Sequence, residues 1–433
     1  MNFADTRHLI ARTGIGADLE QIESLKAKSR DECIDSLLNA RIEQAPSAPV
    51  FHNRQQIAKL RKQGGESRKR GGKLRRENRR KLQAWLSEVL LKTRNPLHLR
   101  LTLFWHNHFT SGLQKVPAEL MLQQHQSFRG EALGRFDQML HAIVTDPAML
   151  FYLDNVRNRK GRINENFARE LLELFTLGEG NYSESDIRNA AYALTGWRLN
   201  HDNGTVYFDV RRHDDRAVNF LGHSGTLSSA DIIDILLERP ETARRVVTKL
   251  WHCLISDRPP DSRLIHAWGA EFQAGNYDIK HLLQKMLQSE SFWAAENRGT
   301  LTKSPIDIVI GSARELGLTD FEPRLLARWC RRLGQDLLNP PTVSGWPGGR
   351  HWIDTQTLLE RQLFLRRAVS AAEITRQTGS SMNGRPSLAL PPVHTWEEWL
   401  LPIKNERASM PGTNVNPEQY LAQLLLDPRY QLR

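Results

Sequence analysis

The chain has 433 residues, of which 39% are hydrophobic and 25% charged, the usual balance of a globular protein. No apolar run approaches the roughly 18 residues needed to cross a bilayer, and the opening M-N-F-A-D-T-R-H-L-I-A-R-T-G lacks the apolar core of a secretory signal, so a cytoplasmic location is the simplest expectation. Cys33, Cys253 and Cys330 are far apart and odd in number, which excludes a disulfide framework and a zinc-knuckle spacing.

The net charge of +11 is local. Between Arg54 and Lys81 stand 13 Lys/Arg against 2 Asp/Glu, and the rest of the chain is balanced. Such a tract can hold phosphates or an anionic surface by counterion release. It lacks the interleaved aromatics that stack bases, so nucleic acid is the weaker reading. Its two Gly-Gly pairs predict a flexible linker at the centre of the basic linker 54–81, solvated or docking an acidic partner, with Arg75–Arg94 continuing as a helix.

Helical periodicity dominates from there on. A helical pair is expected over 16–42, then helices over 82–93, from Pro96 to Phe109, 117–128, 133–145 and 164–177. The next, 184–196, opens with Ser183 and Asp186 in capping-box spacing. The segment 205–210 alternates as one short strand. Helices resume at 229–238, 241–255, 279–289, 304–316, 323–336, 355–377 and 416–426, with Ser304-Pro305 as N-cap and first-turn proline. The Gly/Pro/Ser-rich stretch 378–412, which holds Trp396 and Trp399, reads as loop with one short helix. The fold class is therefore mainly α: a large helical array with one short β element near 205–210. It divides into an N-terminal lobe, 1–197, and a C-terminal lobe, 198–433, or runs as one continuous domain. No glycine-rich phosphate loop follows a strand, which argues against a Rossmann or P-loop site.

The densest polar motif is N-E-N-F-A-R-E-L-L-E-L-F-T-L-G, residues 164–178. At about 100° per residue, Phe167, Ala168, Leu171, Leu172, Leu174 and Phe175 form one apolar stripe. Glu165, Arg169 and Glu173 stack opposite it, with Asn166 and Glu170 beside them. Asn164 is a plausible N-cap and Gly178 a plausible stop. One reading is a solvated ion-pair ladder, contributing roughly 0.3–0.5 kcal/mol per pair. The other is a polar site in which Arg169 orients two carboxylates, one serving as base or ligand.

F-W-H-N-H-F places His106 and His108 about 160° apart on a helix, which argues against the two chelating one metal. His108 shares a face with Leu101, Phe104 and Trp105. It reads as a core histidine, or as a proton carrier whose partners come from elsewhere. His213 beside Asp214 reads as a polar loop, or as a base or one metal ligand. In P-P-T-V-S-G-W-P-G-G, residues 340–349, prolines and glycines hold Trp346 on a rigid turn, as a plug or as one wall of a ligand pocket.

Taken in order, these blocks resemble a bacterial family, domain of unknown function 1800. The matching pieces are R-H-L-I-A-R-T-G-I-G at 7–16, L-T-L-F-W-H-N-H-F at 101–109 and P-A-M-L-F-Y-L-D-N at 147–155. The 164–178 block follows, then A-L-T-G-W at 193–197, H-D at 213–214, T-K-L at 248–250, K-S-P at 303–305 and L-G-Q-D-L-L-N-P-P-T-V-S-G-W-P-G-G-R-H-W-I at 333–353. The resemblance spans nearly the whole chain. It implies a mostly helical fold, a sulfatase-like or phosphatase-like companion protein and, through a co-exported partner, an envelope location. It implies no mechanism. The export signal common in the family is not seen here, and Val218 stands where members tend to carry a lysine.

The leading expectation is a helical protein with a polar ligand or catalytic pocket, acting with a partner on an anionic or saccharide-like ligand. Glu170, Glu173, Arg169 and His108 are the candidate catalytic residues. Asp154, Asn155, Asn164, Glu165, Asn166, Trp197, His213, Asp214 and Trp346 are the candidate ligand contacts. Metal and cofactor are left open. The alternatives are a non-enzymatic scaffold or chaperone for the companion, and a nucleic-acid binder through the basic tract.

Overall fold

A computed structural model describes residues 1–200, 202–378, 392–403 and 416–433, without the side chains of 373–378. The described chain is mainly helical, with two small antiparallel hairpins. The expected helices form, and local chemistry explains where they start. Ser183 and Asp186 make the capping box of Glu184–Ala193, and Ser228 with Asp231 caps Ser229–Glu238 in the same way. Ser304 Oγ accepts from Asp307 N and donates to its carboxylate at 2.8 Å.

Several helices escape the periodicity argument, among them Pro147–Tyr152, Phe3–Thr13 and Ser262–Ala274. Phe3–Thr13 buries every residue from Thr6 to Thr13, including Arg7, His8 and Arg12. A helix covered on all sides shows no polar face, so it has no amphipathic signature. Ser262–Ala274 packs antiparallel to Pro240–Leu254. The expected strand is Val206–Phe208, and it pairs with Trp197–Leu199. A second hairpin joins Val218–Phe220 to His223–Gly225. Strands of three residues are too short to show a period of two.

The basic tract differs from the expected linker. Arg54–Lys62 and Gly65–Lys92 form a helical hairpin. Gly64 and Gly65, both at positive φ, make its turn. Gly71 lies against the Ile57 carbonyl, where a Cβ would be only 3.1 Å from that oxygen. The glycines thus serve a tight turn and a close helix contact instead of a loose arm.

One hydrophobic cluster runs from Leu9 to Tyr430. Trp396–Leu400 docks on the first helix: Trp399 Nε1 donates to Ala17 O at 2.8 Å, and Arg7 Nε donates to Trp399 O at 2.8 Å. The rest of the expected 378–412 loop lies largely outside the described residues. Residues 428–433 fold back along 301–303, with Lys303 N to Gln431 O at 2.7 Å and Arg433 N to Leu301 O at 2.8 Å. The three cysteines are unpaired. Among the described residues no helix is long and apolar enough to cross a membrane.

Candidate functional site

A cavity of about 1300 Å³ opens where the 96–108 helix, the 240–254 helix, the 340–353 turn and the 428–433 segment meet. Its wall is built at the end of F-W-H-N-H-F, where three consecutive polar side chains go three ways. His106 turns into the core, and its Nε2 meets His125 Nδ1 at 3.1 Å. Burial drives both rings to the neutral form, His125 down to about 3. Asn107 clamps the tryptophan turn from both sides: Oδ1 accepts from Trp346 N at 2.7 Å, and Nδ2 donates to Trp346 O at 3.3 Å. His108 faces the helix-to-helix seam.

The His108 Nε2–H donates to Phe175 O at 3.1 Å, which leaves Nδ1 as an acceptor for Lys249 Nζ, also at 3.1 Å. Lys249 Nζ further donates to Leu174 O at 3.0 Å, an oxygen it shares with Arg245 Nε. These carbonyls are free because they belong to the last turn of the helix, which ends at Thr176, and the 164–178 block also changes winding before it stops. Asn166–Glu170 is α-helical, and Leu171–Thr176 is π-helical, a bulge often found at functional sites. Thr176 Oγ1 fills part of the widened ladder by donating to Leu171 O at 2.7 Å. Burial, and then the Arg245 cation, lowers Lys249 to about 7. Burial, with Lys249 and Arg245 beside it, holds His108 well below its ordinary value, so its ring is neutral.

The floor is ionic. Asp307 opens a second π-helical segment, Asp307–Gly311. Its carboxylate accepts from Arg100, and from Ser304 N at 2.9 Å, with Arg433 Nε at 3.6 Å. Burial alone would raise this carboxyl, but Arg100 and Arg433 overcome it and hold the group well below the usual range. Five Lys/Arg side chains, Arg100, Lys249, Arg258, Arg350 and Arg433, line the cavity against two carboxylates, Asp257 and Asp307. Trp346, Trp352 and Phe104 supply flat walls.

Of the residues expected from sequence, His108 and Trp346 line this cavity. Asp154 lines a smaller one of about 410 Å³, among Arg61, Arg75, Lys115, Arg157 and Arg198. There its carboxylate takes a 2.6 Å ion pair from Lys115. Asn155 and Asn164 hold that turn in place: Asn155 Nδ2 donates to Leu194 O at 3.2 Å, and Asn164 Oδ1 accepts from Asn166 N at 3.0 Å.

Arg169, Glu165, Glu170 and Glu173 line neither cavity. Arg169 grips Glu184 with bonds of 2.9 and 2.8 Å and lies 3.6 Å from Glu165. Glu173 accepts from Tyr182 at 2.9 Å. Glu170 is half-buried, and burial, then Glu173, raises it to about 6. His213 and Asp214 fold against Thr195, and Asp214 pairs with Arg216 at 2.8 Å. Trp197 stacks edge-on with Phe208 and bonds Ser229.

Sequence reasoning missed Lys249, Asn107, Arg100 and Asp307. Lys249 left two traces, its place in the T-K-L block at 248–250 and a cation set between the apolar positions Val246 and Leu250 of its helix. Among the described residues no group of three His, Cys, Asp or Glu side chains converges to hold a metal.

Fold and site together define a mainly α-helical protein with a cation-rich, aromatic-walled cavity. Residues 8–432 match the family model described as Protein of unknown function (DUF1800), and the chain belongs to that family. No curated protein and no solved structure matches it.

Proposed function

We propose that the cavity binds an anionic ligand of saccharide size. Arg258 and Arg350, in one concave, partly apolar space where Arg100 and Arg433 already share Asp307, carry this reading. Arg258 and Arg350 stand exposed at the mouth with no ion-pair partner among the described residues. They are placed to draw an anion in, and Trp346 and Trp352 offer faces on which a sugar ring can pack.

Titration calorimetry with glucuronate, inorganic phosphate and neutral glucose tests the reading. The anions should bind and weaken with salt, and glucose should not bind measurably. The R258E/R350E double variant should lose about tenfold or more in affinity, the scale of a lost charged contact, with its melting temperature unchanged because both side chains are exposed. Equal binding of glucose and glucuronate would rule out charge as the basis of recognition.

A scaffold role beside a sulfatase-like or phosphatase-like companion is the second reading. In this reading the buried ionic network around Asp307 fixes helix register and does no chemistry. Co-purification with the companion, with no affinity for anions, would support it over the first.

A further inference from the structure

We propose that Lys249 is a carbonyl-reactive amine, forming an imine with an anionic aldehyde or ketone, such as a 2-oxo acid, held in the cavity. The inference rests on the anion-binding reading and adds the chemical class of the ligand.

The geometry is that of an oriented nitrogen. Two of the three positions on Nζ that can carry hydrogen are directed at fixed acceptors. One is His108 Nδ1 at 3.1 Å, whose ring gives its proton-bearing Nε2 to Phe175 O. The other is Leu174 O at 3.0 Å. No third protein partner is present among the described residues, and Lys249 lines the cavity. When the amine is neutral, its two N–H bonds serve the acceptors and its lone pair takes the remaining tetrahedral direction. The lowering of Lys249 to about 7 makes that form abundant at neutral pH. His108 and the π-helical carbonyl act as positioning groups. Neither touches the reacting carbon.

The step balances without a redox partner. Nζ adds to the carbonyl carbon, and the carbonyl oxygen gains a proton through solvent while nitrogen loses one, giving a carbinolamine. The C–O bond then breaks, water leaves, and the C=N bond forms. Amine plus carbonyl gives imine plus water. The exposed cations Arg258 and Arg350 line the same cavity and supply the charge that the carboxylate of such a ligand would meet.

The test uses the full chain with glyoxylate and cyanoborohydride at neutral pH, followed by peptide mapping. Lys249 should acquire a carboxymethyl group about tenfold or more faster than the surface lysines, because ordinary lysines are almost wholly protonated there. Inorganic phosphate should slow the reaction. Even modification across the surface lysines overturns the proposal, and does so alone if calorimetry still shows phosphate binding. Preferential marking of Lys249 by glyoxylate and acetaldehyde at equal rates, unslowed by phosphate, would uphold the amine chemistry and remove the anion reading.

Discussion

At the scale of single residues, the amine of Lys249 is the clearest place where environment changes chemistry. Its value in the folded chain, about 7, lies below the ordinary 10.5. Between those limits the unfolded chain binds the extra proton, so stability rises with pH, and the burden of a buried ammonium is fully present below the lower limit. His108 and Arg245 lie against the amine, and His252, Asp257, Arg100, Asp307 and Arg433 line the same cavity. Lys249→Met removes the titration. The melting temperature of the variant relative to wild type should therefore fall steadily as pH is raised from about 6 to about 9. A difference that stays flat would show an amine titrating like any surface lysine. The sequence could show that a lysine borders an apolar stripe. It could not show that a neutral imidazole and a backbone carbonyl, from segments far away in the chain, would meet it.

At the scale of elements, most helices were legible because each is written in its own residues. A capping box such as Ser183–Asp186 needs only four consecutive positions. The π-helical turns were not legible. Leu171–Thr176 reads as ordinary amphipathic helix, and the sequence does not show that its last-turn carbonyls accept from His108, Lys249 and Arg245. The other π-helical turn is shaped by packing against Gly16. A Cβ on that glycine, at φ +82°, would come within 2.6 Å of Gly311 O. Gly16→Ala combines a left-handed backbone with a collision in a tight contact. It should lower stability by about 3 kcal/mol, read as a shift in the urea midpoint at unchanged slope. A loss below about 0.5 kcal/mol, the usual range for surface changes, would mean that the two segments do not touch as described.

At the scale of the whole molecule, Asp307 joins distant parts of the chain. Through Arg100 it reaches the helix that carries His108 and the Gly14 carbonyl, and through Arg433 the carbonyls of Arg12 and Cys253. Asp307→Asn keeps the shape and removes the charge that two buried guanidiniums share. The expected loss is about 3–5 kcal/mol, as for a buried ion pair stripped of one partner, measured by denaturant unfolding. A change under about 1 kcal/mol, the worth of an exposed pair, would show that water reaches the network and screens it. The carboxylate-rich face of 164–178, by contrast, is a surface ladder in which Arg169 holds Glu184, and each such pair contributes little.

The chain by itself determined the helical class, most helix boundaries, the family and the divergence of His106 from His108. Hydrophobic periodicity and capping act over one or two turns, so neighbouring residues suffice to specify them. Only the tertiary structure decided that the 54–81 tract is a helical hairpin, that Asn107 holds the Trp346 turn, and that Lys249, His108, Arg100 and Asp307 border one cavity. A shared cavity and a shifted proton equilibrium depend on which groups are brought together out of water. Lys249 meets His108 across 141 residues and Asp307 meets Arg100 across 207, where local spacing carries no information about contact.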